Sequence, residues 1–459
     1  MRGAVATVTT ESIGGTKMQD WLSTSASDLG RGIDKGDIDP VELTQTYLSA
    51  IDAHPHTNRI YARVTHDRAM AEAEAARTRA KAGLRLSPLD GVPISWKDLF
   101  DTAGVKTEGG SALLKDRVPD HDCEVLRNAT LAGTICLGKT HMSELAFSGL
   151  GLNPITETPP CINDADAVPG GSSSGAATSV AFGLAACGIG SDTGGSVRIP
   201  SAWNDLVGLK TTSDRLSLEG VVPLCPKFDT VGPLARTVED AAMMTAIMEG
   251  KPAPDLRGAS LKGRRFAALQ SVAMDDLRDA PAKAYASALE RLQAAGAIIE
   301  PLEVPEVAPA MALTGPLYTC EAYGLWRDVI EANPDLMYDQ ILERFRAGAN
   351  FSGPDYVAAW IELEAHRMAW DQVTAQYDAV LCPTSPILPP NLERLYNDHD
   401  YYITENLLSL RNTRIGNLMG VCALSLPTGV PSCGIQLMAA PNTEEALLRV
   451  GIAVEAALA

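Results

Sequence analysis

The chain has 459 residues, of which 46% are hydrophobic and 21% are charged, a composition typical of a globular protein with a large buried core. Its net charge of −19 repels nucleic-acid backbones and anionic membrane surfaces, and no run of basic residues offsets that charge. We therefore expect no nucleic acid and no membrane among its direct partners.

The first 24 residues are polar and rich in threonine and glycine. They lack an apolar core of secretory length, and the chain has no stretch of about 20 apolar residues. We therefore expect no signal peptide, no membrane span and a cytoplasmic location. Residues 1–17 are a candidate disordered segment.

Two helices are predicted next. Asp39 supplies an N-cap, Pro40 suits the first turn and Glu42 suits the third position, which predicts a helix that runs to about Ala53. Residues 66–82 are dense in alanine, glutamate and arginine and are followed by a glycine. That pattern predicts a second, solvent-exposed helix that ends at this glycine.

The composition changes over residues 89–240 to glycine, short apolar runs and turn residues. Residues 134–138 and 184–189 predict buried strands. Helical segments at 123–132 and 176–182 alternate with them. This alternation predicts an α/β protein whose sheet is covered by helices on both faces.

The rest of the chain is mostly helical, with three more strands. Thr237 opens a helix by the capping-box pattern, and residues 250–263 predict a surface connection. Helices are predicted at 280–295, 354–376 and 442–458, and strands at 377–382, 423–426 and 435–438. Because no linker or internal repeat divides the chain, we expect a single domain over residues 1–459.

The cysteines and histidines indicate no metal site. Nine cysteines are scattered without a C-x-x-C pair, and seven histidines form no H-E-x-x-H pattern. Most of the cysteines lie in apolar stretches, which is typical of reduced, buried thiols in a cytosolic protein.

Two serines 24 residues apart lie in glycine-rich segments, Ser172 within 170–175 and Ser196 within 192–198. Glycine-rich backbone lets N–H groups converge on one point, and such groups stabilise an oxyanion. Ser196 follows an apolar strand and two glycines, so it is a candidate nucleophile for attack on a carbonyl. Ser172 is then a candidate proton carrier. Each segment taken alone is also consistent with an ordinary turn.

Ser173 is a competing nucleophile, because residues 171–175 match the G-x-S-x-G elbow of α/β-hydrolases. That elbow must directly follow a strand, and residues 164–169 make a poor strand. We therefore reject Ser173.

A serine nucleophile also needs a base at neutral pH. His121, His141 and a desolvated lysine such as Lys97, which follows an apolar stretch, are all options. The residues alone do not choose between them.

Taken together, three segments resemble the amidase signature family: 91–98 around Lys97, 168–175 around Ser172, and 192–200 around Ser196. Their order and the serine spacing also match, and weaker similarity covers nearly the whole chain. The resemblance implies a central mixed β-sheet with helices on both faces and a signature core at about 89–240. It also implies hydrolysis of a small-molecule amide without a metal or organic cofactor, and it allows a homodimer.

The resemblance also implies roles for individual residues. Ser196 matches the nucleophile, and Lys97 matches the base of a Ser–cis-Ser–Lys triad. Ser172 matches the bridging serine, which follows a cis peptide bond after Gly171. The positions that match the oxyanion hole, through their backbone N–H groups, are Thr193, Gly194, Gly195 and Ser196. Asp192 and Arg198 match positions that shape this loop.

The chain departs from the family pattern at three positions. Ser174 replaces a usual glycine, and His141 replaces a common asparagine near the expected substrate pocket. Leu410 stands seven residues before Asn417, where the catalytic A subunits of glutamine-dependent tRNA amidotransferases carry an aspartate for the glutamine amino group. We therefore favour a stand-alone amidase over such a glutamine-dependent enzyme. A catalytically silent binding scaffold is the third alternative.

Overall fold

The computed structural model describes residues 21–459, so the candidate disordered segment 1–17 lies outside the described residues. Sixteen complete α-helices occur in the described part: α1 Ala26–Lys35, α2 Pro40–Ala53, α3 Thr57–Ile60, α4 His66–Ala82, α5 Glu124–Leu131, α6 Ser174–Ala181, α7 Arg198–Trp203, α8 Val238–Glu249, α9 Asp279–Ala294, α10 Val307–Ala312, α11 Cys320–Ala332, α12 Asp339–Arg346, α13 Gly353–Thr374, α14 Leu392–Asn397, α15 His399–Leu418 and α16 Glu444–Leu458.

Eleven strands form one sheet: β1 Tyr61–Val64, β2 Pro93–Lys97, β3 Ile135–Thr140, β4 Cys187–Ser191, β5 Val207–Lys210, β6 Val231–Ala235, β7 Arg265–Leu269, β8 Ile298–Leu302, β9 Ala379–Pro383, β10 Cys422–Pro427 and β11 Gly434–Ala439. Their order is β1-β3-β2-β4-β6-β5-β10-β11-β9-β7-β8. Parallel pairs join β2 to β3 and β4, and β7 to β8 and β9, whereas the other pairs are antiparallel. The predicted mixed α/β sheet is confirmed.

Helices cover both faces of this sheet. In β10, the Cβ of Ala423 lies 3.7 Å from the position that a Cβ on Gly416 of α15 would take. The next residue, Leu424, reaches Gly451 of α16 instead. Because successive side chains of a strand point to opposite faces, α15 and α16 pack on opposite sides of β10.

The capping residues that predicted the ends of two helices act as caps in the structure. The Asp39 carboxylate accepts hydrogen bonds from the N–H groups of Val41 and Glu42, and α2 ends at Ala53 as predicted. Helix α4 ends at Ala82 and is capped by Gly83, whose φ is +68°. Glycine adopts this left-handed conformation without a steric penalty because it has no side chain. Eight of the 17 residues of α4 are exposed, and the three buried ones are all alanines, Ala69, Ala73 and Ala76.

The topology places the ends of β2 and β4 side by side. Both strands run parallel, with Trp96 paired to Ile189, so Lys97 and Ser191 lie at the same edge of the sheet as the last residues of their strands. Strand β4 starts later than predicted because residues 184–186 connect it to α6, with the Leu184 N–H still bonded to the Ser179 carbonyl. Because the carboxyl ends of parallel strands lie at the same edge of a sheet, Lys97 and Ser191 can contribute to one site.

Two smaller expectations concern thiols and membranes. All nine cysteines are free thiols, and eight of them are buried, as predicted. Within residues 21–459, no helix combines the length and the apolar character needed to cross a membrane.

Candidate active site

Lys97 lies at the centre of the site and is fully buried. Its Nζ donates hydrogen bonds to the Ser172 Oγ at 2.7 Å and to the Ser191 Oγ at 2.8 Å. Burial lowers the pKa of Lys97 to about 7, although the carboxylates of Asp229 and Asp192 act in the opposite direction. Close to neutral pH, a large fraction of this amine is therefore uncharged and able to accept a proton.

Ser172 lies in a backbone segment that is held on both sides. The Gly171–Ser172 peptide bond is cis, as the resemblance implied. The Gly171 N–H donates to the Gly149 carbonyl at 2.8 Å, and the Ser172 carbonyl accepts from the Ser143 N–H at 3.1 Å. A Cβ on Gly171 would lie 2.5 Å from the Gly151 nitrogen, so only glycine allows the two segments to approach this closely.

Ser196 lines a small cavity together with Thr193 and Gly194 and is 3% exposed. Within the part of the chain that the structure describes, the backbone N–H groups of residues 193–196 donate to no protein acceptor. Their loop is held through other atoms. The Thr193 carbonyl accepts from the Tyr318 hydroxyl, and the Gly194 carbonyl accepts from the Thr413 Oγ1. Four consecutive N–H groups are thus available to an oxyanion.

Asp192 and Arg198 brace this loop as a fully buried ion pair. The Arg198 Nε and Nη2 donate to the two oxygens of Asp192 at 3.0 and 2.9 Å. The carboxylate also accepts from the Val197 N–H and from the Asn417 side-chain amide. Burial by itself raises the pKa of Asp192, but the Arg198 guanidinium outweighs it and holds the pKa well below its usual range. The pair thus ties the loop to β11 and α15, because Arg198 also donates to Gln436 and to the Thr413 carbonyl.

Two adjacent glycines of the loop make a matched test of its packing. We expect Gly195→Ala to lower the free energy of unfolding by about 3 kcal/mol, because φ is +140° and the new Cβ would lie 2.1 Å from the Thr413 Oγ1. At Gly194, the nearest atom would be 3.7 Å away, so Gly194→Ala should change stability by less than about 1 kcal/mol. Urea unfolding measures both, and equal losses in the two variants would contradict the packing.

The alternative site residues lie elsewhere. Ser173 donates from its Oγ to the Ser191 carbonyl at 3.2 Å, accepts from the Ser191 N–H, and does not line the cavity. Ser174 donates to the His141 carbonyl at 3.2 Å, so its hydroxyl is accommodated at the start of α6. The His121 ring is exposed and contacts Asp120.

His141 is buried, and burial lowers the pKa of its ring to about 4. It is absent from the residues that line the cavity around Ser196. Its backbone supports α6, because the His141 carbonyl also accepts from the Gly175 N–H at 2.9 Å.

Ser191, Asp229 and Tyr318 belong to the site, but the sequence did not select them. Ser191 is the second partner of Lys97. Asp229 accepts from the Thr193 Oγ1 at 2.5 Å and from the N–H groups of Leu224 and Cys225, and burial raises its pKa. The available signal for Asp229 was the weaker similarity to the amidase signature family, which includes residues 228–233. Tyr318 lies in a distant helical segment without a motif.

Comparisons with known proteins show which family the chain belongs to. The family model described as amidase matches residues 42–448. The chain is 34% identical to 2-amino-5-chloromuconic acid deaminase of Comamonas testosteroni, over 90% of this chain and 93% of that protein. It is 30% identical to the A subunit of glutamyl-tRNA(Gln) amidotransferase from Chloroflexus aurantiacus, over 92% and 93%. A crystal structure described as an amidase superposes with a TM-score of 0.86 at 28% identity, covering 95% of this chain and all of that one.

Proposed function

This chain belongs to the amidase family, and we propose that it hydrolyses the C–N bond of a small-molecule carboxamide through a seryl acyl-enzyme. The observation that carries the proposal is the hydrogen bond from the buried Lys97 amine to the Ser172 hydroxyl. The next residue, Ser173, donates its N–H to the Ser196 carbonyl, which links the loop of Ser172 to the loop of Ser196. We assign Ser196 as nucleophile, Ser172 as proton relay and Lys97 as base. A single domain over the whole chain stays a prediction, which the continuous sheet supports.

In the first half of the reaction, the Ser196 hydroxyl attacks the amide carbonyl carbon. Its proton passes through the Ser172 hydroxyl to the neutral Lys97 amine. The carbonyl oxygen becomes an oxyanion, and the N–H groups of residues 193–196 donate to it. When the intermediate collapses, the C–N bond breaks, and the proton held by Lys97 returns through Ser172 to the leaving nitrogen. Ammonia or an amine departs.

In the second half, water attacks the ester carbonyl of acylated Ser196. Lys97 again takes a proton through Ser172, and the oxyanion forms in the same loop. Collapse breaks the ester bond, the proton returns to the Ser196 oxygen, and a carboxylic acid is released. The net change is one amide plus one water giving one acid plus one amine, so the residues of the chain end as they began.

The catalytic A subunit of a glutamine-dependent tRNA amidotransferase is the second candidate function, because an A subunit of glutamyl-tRNA(Gln) amidotransferase is 30% identical over 92% of this chain. Leu410 argues against it. This residue, which stands where those proteins carry an aspartate, lines the cavity with Ser196 and is 5% exposed. An aliphatic side chain there offers no acceptor for the amino group of glutamine.

The experiment is a panel of carboxamides, with glutamine and 2-amino-substituted unsaturated acids included, assayed for ammonia. Hydroxylamine is added in parallel, because it intercepts an acyl-enzyme as a hydroxamate. We expect ammonia and hydroxamate from simple carboxamides and little from glutamine. Ammonia without hydroxamate would favour a deamination reaction, as the name of the Comamonas relative describes for that protein. Release of ammonia from glutamine alone would favour the amidotransferase subunit.

The silent scaffold is tested separately with a fluorophosphonate probe, which phosphonylates an activated serine. Labelling of the wild-type protein that is lost in Ser196→Ala excludes this alternative. No labelling, together with no turnover across the panel, would favour it.

A further inference from the structure

Two arginines, Arg344 of α12 and Arg414 of α15, line the cavity that contains Ser196. Arg344 makes a cation–π contact, in which its guanidinium carbon lies 4.6 Å from the centre of the Phe147 ring. Across residues 21–459, neither guanidinium donates a hydrogen bond to a protein acceptor or forms an ion pair within 4.0 Å. Arg198, which directly follows the loop that contains Ser196, is by contrast paired with Asp192.

Arg414 is buried, and Arg344 is half-buried with one of its guanidinium nitrogens shielded from water. The Arg344 Nη1 is buried without a partner, and Arg414 is 6% exposed. Burial lowers the pKa of both guanidinium groups, and burial together with the charge of Arg344 lowers the pKa of Arg414 to about 10. Two like charges in a partly desolvated cavity are unfavourable, and a bound anion would compensate both.

The nearby buried carboxylates are already engaged. Glu144 accepts from the Ser111 Oγ at 2.7 Å and from the Tyr338 N–H at 2.9 Å. Asp229 accepts from Thr193 and from two backbone N–H groups. The anion that pairs with the two arginines must therefore come from outside the described chain.

The arginines lie close to the reacting groups. A Cβ on Gly194 would lie 3.9 Å from the Arg414 Nε, so this guanidinium borders the loop whose N–H groups are free. Phe147, Leu224 and Leu410 provide apolar surface in the same cavity. The enclosed cavity volume is only about 30 Å³, which leaves no room for a bulky ligand beside Ser196. A ligand that reaches Ser196 and the arginines together must be small.

We propose that Arg344 and Arg414 bind a carboxylate of the substrate, so that the preferred substrate is a short monoamide of a dicarboxylic acid. This inference rests on the proposed amide hydrolysis. The planar guanidinium fork matches a carboxylate in geometry and charge, and charge-assisted hydrogen bonds are the strong class. A substrate without the negative charge leaves both cations that line the cavity unpaired.

The test compares succinamate with succinamide, in which a neutral amide replaces the carboxylate at almost unchanged size. Malonamate and glutaramate with their diamides extend the series to shorter and longer spacings. We expect kcat/KM for the best monoamide to exceed that of its diamide by about 100-fold or more. A ratio near one at all three chain lengths, with amides still hydrolysed, would overturn the carboxylate site and leave the proposed function intact.

Variants assign the preference to the two arginines. Arg344→Gln and Arg414→Gln should each reduce the monoamide-to-diamide ratio at least about tenfold, mainly through KM, because each removes charge-assisted hydrogen bonds. Arg411→Gln is the matched control. It removes the same charge from the same helix as Arg414, but Arg411 contacts Asn412 and the Ala273 carbonyl, away from the cavity. A ratio that is equally reduced in Arg411→Gln would overturn the assignment.

Binding separates this inference from the reaction. In Ser196→Ala, calorimetry should detect succinate or glutarate binding that is weakened at least about tenfold by adding Arg344→Gln. If no amide is hydrolysed but this binding is found, the carboxylate site stands and the proposed reaction falls. If neither diacid nor monoamide binds, the carboxylate site is wrong. Should Arg414→Gln not fold, the wild-type ratio and Arg344→Gln still decide.

Discussion

Replacing Ser196 with alanine is expected to lower kcat for amide hydrolysis by about 10⁴-fold or more, because the proposed reaction has no other nucleophile. The substitution removes one hydroxyl from a residue that is 3% exposed, and the loop keeps its braces from Tyr318 and Thr413. The variant should therefore fold normally. Steady-state release of ammonia measures the loss, and urea unfolding confirms the fold.

Ser173→Ala is the matched control for this result. The Ser173 N–H donates to the Ser196 carbonyl at 3.3 Å, but the Ser173 hydroxyl is bonded to the backbone of Ser191 and does not line the cavity. We expect its loss to cost about 1 kcal/mol of stability and to change kcat by less than about tenfold. An active Ser196→Ala protein beside an inactive Ser173→Ala protein would reverse the assignment in favour of the G-x-S-x-G interpretation.

The parts of the fold that were predictable have local causes. Helix α2 was assigned to its last residue because Asp39 and Pro40 act on adjacent backbone groups, and α4 because Gly83 ends it. Strand β3 was found from an apolar run. Strand β2 was not, because it begins with proline and ends with lysine, and the burial of all its residues is decided by β3 and β4 beside it.

The residues of the site also separate into those that a local pattern reveals and those that only tertiary contacts select. Ser172 and Ser196 were visible because glycine-rich loops are a local pattern, whereas Lys97 was chosen only through the family resemblance. Its selection among other buried lysines depends on tertiary contacts. The Lys139 and Lys210 amines donate to other groups, the Phe100 carbonyl and the Val421 carbonyl among them. Arg344 and Arg414 were missed for a related reason, since nothing in a helical sequence marks an arginine that lacks a partner.

Lys97→Met is expected to reduce kcat by a factor comparable with Ser196→Ala, because it removes the proposed base and leaves a side chain of similar length. Lys97→Arg should be equally inactive at every pH, since a guanidinium stays protonated and cannot accept the serine proton. An active arginine variant would show that a positive charge, and not a base, is needed at this position.

The pH dependence follows from the lowered pKa of Lys97, about 7. In the wild-type protein, kcat/KM should rise with pH as the amine loses its proton, with a midpoint near 7, and then level off. Lys210→Met is the matched control. Burial also lowers the pKa of Lys210, to about 8, but its amine contacts backbone carbonyls and no serine. The midpoint should stay near 7 in this control, and a shifted midpoint would assign the titration to Lys210.

The buried amine of Lys97 should also lower the free energy of unfolding, although it is needed for turnover. The folded protein gives up the Lys97 proton at pH about 7, whereas in the unfolded chain the amine keeps it up to its ordinary pKa of 10.5. Between these values the unfolded state binds more protons, so burial of Lys97 becomes less unfavourable as pH rises, and its full cost, on the order of 5 kcal/mol, applies below pH 7. Lys97→Met should therefore gain stability relative to wild type, more at pH 6 than at pH 10, while turnover is lost. Urea unfolding at the two pH values measures this difference, and a variant that is destabilised equally at both would show that the amine is buried without such a cost.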